Sequence, residues 1–377
     1  MYDTTFKPKV FVAMSGGVDS SVTAALLKYG GFSVGGGSTS GWDVRGVHIK
    51  MWSDPTIPCA FKEDRYDAMR VAAQIGIPFE TWDLTKEYRE AVVDYMVQGY
   101  AAGWTPNPDV MCNQKIKFGI FLQKALERGA DFIATGHYVC KREVKSQKSK
   151  VKSCALATAR DLNKDQSYFL WTLTQRQLKH CLFPIGYYTK PEVRKLAKKF
   201  ALPTAEKAES QGICFIGEIN LKDFLKKYIP AERGKVLTTS GKVIGEHDGL
   251  SFYTLGERRG LGIGGGIPYY VAAKDFKTNT LMVGEGPYDG KLFSQELRAE
   301  KINWISGSAP RFPFRCEARV RYRQPLQDCR VWEVGRGSHL QHSTVRVQFG
   351  KPQRAVTPGQ SVVFYKNFEV LGGGVIV

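Results

Sequence analysis

The chain has 377 residues, 43% of them hydrophobic, and carries 54 Lys and Arg against 36 Asp and Glu, a formal charge of +18. That length exceeds one ordinary core and predicts two or three domains, while no apolar run is long enough to cross a bilayer and the first residues (MYDTTFKPK) carry no secretion signal or organellar presequence; a cytoplasmic location is the expectation. The charge excess points to a polyanionic partner, nucleic acid first, and the 8 cysteines, scattered without a CxxC pair, indicate neither a zinc knuckle nor a disulfide-stapled secreted scaffold.

Residues 9–14 (KVFVAM) read as a buried strand and 22–29 (VTAALLKY) as a helix, with Ser15-Gly16-Gly17-Val18-Asp19-Ser20-Ser21 turning between them. Gly16 and Gly17 let the backbone approach a ligand, Ser20 and Ser21 can cap the helix, and the free N–H groups of its first turn favour a phosphate. A Walker A loop would place a lysine here to neutralise phosphates. Asp19 stands there instead, and a carboxylate beside pyrophosphate implies a Mg²⁺ ion between them. The string is similar to the pyrophosphatase loop of enzymes that split ATP into AMP and pyrophosphate.

Further along, residues 30–41 read as a Gly/Ser surface insertion, 44–50 as a strand, 64–76 as an amphipathic helix and 77–79 as the entry to another strand. A helix over 87–102 precedes Trp104-Thr105-Pro106-Asn107-Pro108-Asp109, a loop stiffened by two prolines, and a helix over 117–128 leads to a strand at 131–135 that ends on Gly136-His137-Tyr138. This alternation predicts a parallel α/β sheet with ligand groups at the strand ends. Residues 142–153 are basic and read as a solvated hairpin tip, and 190–200 as a helix with Pro191 in its first turn. Beyond Gly234 the chain turns to short Val-, Tyr- and Gly-rich segments, an all-β pattern with a break near Gly286-Pro287.

Two cysteines sit in polar, unusual loops. Cys112 follows Asp109 and precedes Lys115 and Lys117, whose cations favour a thiolate, and Cys214 lies in EKAESQGICFI, where no period would bury it. Cys140, Cys154, Cys181 and Cys316 read as inert packing, and Cys59 as a buried thiol without an assigned role.

The blocks SGGVDSS, TPNPDVMCNQKIKFG, ATGHYV, NKDQSYFL, ESQGICFIG, YTLGERRGLGI and RVRYRQP occur in the order found in the tRNA-specific 2-thiouridylases, and the chain resembles that family from about Lys9 to its C-terminus. The resemblance implies an ATP-pyrophosphatase domain with a parallel sheet over 1–217, a small central β-rich domain over 218–286 that contacts tRNA, and a C-terminal β-barrel-like domain over 287–377. It implies that Ala13, Met14, Ser15, Gly16, Gly17, Val18, Asp19 and Ser20 bind ATP, with Ile49 and Gly136; the family usually has methionine where this chain has Ile49, a change that a backbone contact survives. Asn107, Pro108 and Asp109 would meet the target base, with Asp109 moving a proton on the uracil ring. Cys214 would carry a persulfide and Cys112 would be its partner nucleophile. His137, Lys164, Asp165, Gln166, Arg321, Tyr322 and Gln360 match positions that touch tRNA. Arg258, Arg259, Arg319 and Arg323 are further candidates for phosphate contacts.

The implied reaction is sulfur transfer to the wobble uridine. ATP adenylates the C2 oxygen, making it a leaving group. Sulfur then arrives from the Cys214 persulfide, directly or as hydrosulfide released by Cys112, and either route can end in a Cys112–Cys214 disulfide that a reductant reopens. The implied partners are tRNAs reading Lys, Glu and Gln codons and a cysteine desulfurase or sulfur-relay protein. Taken singly, the residues have plainer readings: Asp109 can cap a turn, His137 can finish a strand, Lys164 and Asp165 can pair on the surface, and so can Arg321 and Tyr322. Two rivals remain at this stage, an ATP-pyrophosphatase that amidates a small molecule and an RNA-binding protein with a relic loop.

Overall fold

Alternation within the first strand, β1 (Lys9–Ala13), sets up a sheet buried on both faces. Val10 and Val12 join one core cluster and Phe11 another, all of them 2% exposed or less. The computed structural model describes residues 7–32, 41–54, 61–144, 153–208, 221–264, 266–334 and 344–377. β1 pairs in parallel with β2 (Asp43–Lys50) on one side and β4 (Phe132–Ala134) on the other, with β3 (Phe79–Asp83) beyond β2 and the two-residue β7 (Cys181–Leu182) beyond β4.

Helices cover both faces. α1 (Val18–Lys28) and α2 (Phe61–Ile75) put Val22, Leu26, Val71 and Ile75 against Val10 and Val12. The opposite face is covered by α3 (85–101) and α4 (108–127), through Val92, Met96, Ile116 and Phe121. Each of these two helices contains a π-helical stretch, Arg89–Asp94 in α3 and Cys112–Phe121 in α4. A π-turn widens the backbone spiral and recurs at functional positions; the second one begins at Cys112. α5 (Lys190–Lys199) closes the layer beside α1.

The hairpin of β5 (Val139–Val144) and β6 (Ser153–Thr158) corrects part of the solvated-tip expectation. Its base is a structural joint, because β6 pairs with β17 (Glu369–Ile376) through Val370↔Leu156. Its tip lies outside the described residues.

The middle module is a four-stranded sheet in the order β10 (Tyr269–Asp275), β11 (Thr280–Glu285), β8 (Gly234–Thr238), β9 (Val243–His247). The last module closes on itself. β12 (Phe293–Trp304), β15 (Val345–Arg354), β14 (Gln327–Glu333), β13 (Phe314–Arg319), β16 (Ser361–Lys366) and β17 run in that order, and β12 pairs back onto β17, making a six-stranded barrel. Closure removes the free edges that alternating β segments would otherwise expose. No helix among the described residues is long and apolar enough to cross a membrane.

Candidate active site

The chain leaves β1 toward β2 and returns on its other side as β4, so a crevice opens at the carboxyl ends of these two strands. The Ser15–Ser20 loop lies at that end, and its shape depends on glycine. Gly16 has φ +80°, and a Cβ there would lie 2.2 Å from the Asp64 carbonyl oxygen. Gly136, after β4, would place a Cβ 2.8 Å from Ser20 N. Only bare backbone fits at either point, which brings the loop, α2 and the end of β4 close together around the N-terminus of α1.

The serines do not cap α1 as expected. The helix begins at Val18 with Gly17 as its N-cap, and the hydroxyls of Ser20 and Ser21 donate back to the Gly17 carbonyl at 3.1 and 2.8 Å. Ser20 also accepts from Ser15 N at 3.2 Å, bracing the loop. Ile49 is buried on β2, and the Met14 carbonyl accepts from Nδ1 of the neighbouring His48 at 2.8 Å. Burial holds His48 below its usual pKa, and its Nε2 has no hydrogen-bond partner among the described residues.

Asp19 is engaged differently from the expectation. Lys190 Nζ donates to its two carboxylate oxygens at 2.7 and 2.9 Å, and Tyr138 Oη donates to Oδ1 at 2.8 Å. With both oxygens held by a cation and a phenol, the residues present do not fit a direct Asp19–Mg²⁺ contact, and no step below is routed through that ion. The cation missing after Gly17 is thus supplied from 171 positions away. A signal for it exists in the sequence: Lys190 opens α5 between Thr189 and Pro191, at the helix end where the macrodipole disfavours a positive charge.

Asn107, not Asp109, caps the next helix. Its side chain accepts from Val110 N at 3.2 Å, and Pro108 fills the first helical position. Gln360 from the barrel fastens this loop by donating to the Thr105 carbonyl at 2.8 Å and accepting from Asn107 Nδ2 at 3.5 Å. Asp109 keeps accessible surface, yet the protein around it displaces enough water to push its carboxyl above the usual range, against the pull of Lys117. Three residues on, Cys112 is buried at the start of the π-helical stretch. Cys214 and Cys59 lie outside the described residues.

If Asp109 acts as the base, its raised pKa carries a sign. The ionised form is lost at a higher pH than for an ordinary carboxylate, so activity should fall on the acid side earlier than usual. A pH profile of kcat/KM should show that limb in the wild type and lose it in Asp109→Asn, together with most of the rate. An unchanged limb in the variant assigns the titration to another group.

Several residues expected to meet RNA prove to be internal. His137 is buried against Phe118 and Phe183, contacts the Thr135 hydroxyl at 2.8 Å, and is held well below its usual pKa by burial and Lys117. Asp165 is 2% exposed and Arg319 is 7% exposed, and the two form an ion pair at 2.8 Å. The two charges are turned inward and engage each other in this structure. Gln166 exchanges hydrogen bonds with Tyr138, accepting from its N–H and donating to its carbonyl, each at 2.9 Å. Lys164 is half-buried, whereas Arg258, Arg259 and Arg323 are exposed. Tyr322 packs on Phe169 at 4.5 Å, and Arg321 donates to the Leu255 carbonyl of the middle module at 2.7 Å.

A glycine-shaped phosphate loop at a sheet switch point, followed by a small β module and a closed barrel, defines a nucleotide-dependent enzyme with two appended β domains. Known families match in that order: the tRNA methyl transferase HUP domain over residues 8–218, the tRNA methyl transferase PRC-barrel domain over 222–285, and the aminomethyltransferase beta-barrel domain over 294–376. The chain is 46% identical over 371 residues to the tRNA-specific 2-thiouridylase MnmA of Halalkalibacterium halodurans, covering 98% of this chain and 94% of that one. It is 47% identical over 379 residues to the enzyme of the same name from Acinetobacter baylyi, covering 98% and 97%. The chain belongs to the tRNA-specific 2-thiouridylase family.

Proposed function

We propose that this chain, a tRNA-uridine 2-sulfurtransferase by its family, adenylates the C2 oxygen of the wobble uridine at the Gly16–Gly136 crevice and replaces that oxygen with sulfur carried by Cys214. The observation that carries the reading is the crevice itself, where Gly16 packs on the Asp64 carbonyl of α2 and Gly136 on the first turn of α1, both as bare backbone. ATP lies along Ala13–Ser20, with Ile49 and Gly136 at its edges, and the backbone N–H groups of α1 take up charge as pyrophosphate leaves. Lys190 neutralises Asp19 at the loop, so that this carboxylate does not repel the phosphates.

Asn107 and Pro108 seat the uracil, and Asp109 takes its ring proton as the C2 oxygen attacks the α-phosphorus. The outer sulfur of the Cys214 persulfide displaces AMP, and Cys112 then attacks the Cys214 sulfur to release the thiolated base; in the other route Cys112 attacks the inner sulfur first and frees hydrosulfide, which displaces AMP. Either way the two cysteines finish as a disulfide, and two electrons from a reductant restore them. Supply of the persulfide calls for a cysteine desulfurase or a relay protein. The substrates are tRNAs reading Lys, Glu and Gln codons, and the site of action is the cytoplasm.

The test is mass spectrometry of nucleosides from unmodified tRNA incubated with the protein, ATP, Mg²⁺, and cysteine with a cysteine desulfurase as the persulfide donor. The expected result is 2-thiouridine that requires ATP and disappears in Cys214→Ser, with Cys112→Ser strongly impaired. Pyrophosphate release without a thiolated base would favour a small-molecule substrate. Neither product would leave a binding protein.

A further inference from the structure

The seam between the middle module and the barrel carries positive charge that no carboxylate among the described residues compensates. Arg354, at the end of β15, lies over the ring of Tyr270 in β10, 4.6 Å from its centre. Its Nε and Nη2 are shut off from solvent and have no acceptor among the described residues. Arg321, in the turn between β13 and β14, donates to the carbonyl of Ala355, the residue after Arg354, and burial together with repulsion from the Arg354 cation lowers its pKa. The partners of its Nη2 are all neutral: the carbonyls of Leu255 at 2.7 Å and Ala355 at 3.0 Å, and the Thr357 hydroxyl at 3.3 Å. Arg323, two residues on, covers Tyr322 at 5.2 Å. Among the described residues none of these three guanidinium groups has a carboxylate partner.

Two neighbouring cations with no counter-charge are costly in a half-buried seam, and an unpaired buried N–H costs about 1–3 kcal/mol. The backbone is nonetheless shaped around them. Gly256 has φ +81°, and a Cβ there would lie 2.6 Å from Ala355 Cβ and 3.3 Å from Arg321 Nη2. Such an arrangement makes sense if an anion from outside completes it. A guanidinium pair matches the oxygens of a phosphodiester, each N–H donating to a charged acceptor.

We propose that Arg354, with Arg321 beside it and Tyr270 beneath it, seats one backbone phosphate of the substrate RNA at the seam of the two β modules. The inference rests on the tRNA reading above and adds Arg354 and Tyr270, which that reading does not include. On binding, Arg354 turns its unpaired edge toward the phosphate. Because Tyr270 belongs to the middle module and Arg354 to the barrel, the seated phosphate also fixes one module against the other.

The experiment is equilibrium binding of unmodified tRNA to the full chain over a salt series. Arg354→Gln should weaken binding several-fold and lower the slope of log affinity against log salt by about 0.7–0.9, the amount for one phosphate contact. Arg354→Lys should keep the slope. Arg346→Gln removes an equal charge from a residue already paired with Glu296 at 2.6 Å, and should leave the slope unchanged. An unchanged slope in Arg354→Gln, or an equal loss in Arg346→Gln, overturns the seat. Should Arg354→Gln fail to fold, protection of wild-type Arg354 from phenylglyoxal by tRNA decides the matter, and absence of protection overturns the proposal. A wild-type protein whose tRNA binding ignores salt is a separate result, one that counts against the RNA reading itself.

Discussion

Gly16→Ala should lower ATP-dependent pyrophosphate release by about 100-fold, the scale associated with losing a preorganised anion-stabilising donor. The new methyl group would lie 2.2 Å from the Asp64 carbonyl oxygen, and φ +80° disfavours any L side chain. The loop must therefore move away from α2, and the N–H groups aimed at the phosphates move with it. Gly17→Ala is the control. Gly17 has φ −89°, and a Cβ there meets only Ser15 Oγ, at 3.5 Å. It should retain most of the activity. Equal losses in the two variants would mean that the loop's geometry, as argued from Gly16, is not what matters.

Asp165→Ala should cost about 3–5 kcal/mol in denaturant unfolding, because it strands the buried Arg319 charge. Asp165 accepts from Arg319 Nη1 at 2.8 Å, Ser167 Oγ at 2.9 Å, Ala159 N at 3.1 Å and Ser167 N at 3.2 Å, so one carboxylate holds four donors. Adding Arg319→Leu to Asp165→Ala should recover part of the loss, since an apolar replacement removes the unpaired charge. A single variant within about 1 kcal/mol of wild type would refute the account, as that is the scale of an exposed pair. Reduced thiolation in Asp165→Ala would then accompany a displaced Gln166 and Tyr168 segment.

Those two sites show where local pattern was enough and where it was not. Gly16 announced itself, because a tight turn from an apolar strand into a helical period calls for a left-handed backbone conformation that glycine adopts at little cost. Asp165 and Arg319 looked like surface charges in NKDQ and RVRYR. A charged residue reads as exposed unless its partner is known, and here the partner is 154 positions away. The same limit applied to the nucleotide loop: Asp19 suggested a metal on the grounds of charge, and Lys190 turned out to satisfy it.

By itself, the sequence determined the parallel α/β class, the phosphate loop, the proline-stiffened loop ahead of Cys112, the β-rich C-terminal half and the family. Each of these is written in spacing a few residues long, where covalent geometry and hydrophobic period act directly. Tertiary structure alone decided which charges are buried, that Gln360 fastens the Asn107 loop across 253 positions, that β6 extends the barrel sheet, and that Arg354 and Arg321 share a seam with no carboxylate partner among the described residues. These are pairings between distant segments. The desolvation cost of a buried charge is offset only by a specific neighbour, and that neighbour is fixed by how whole modules pack.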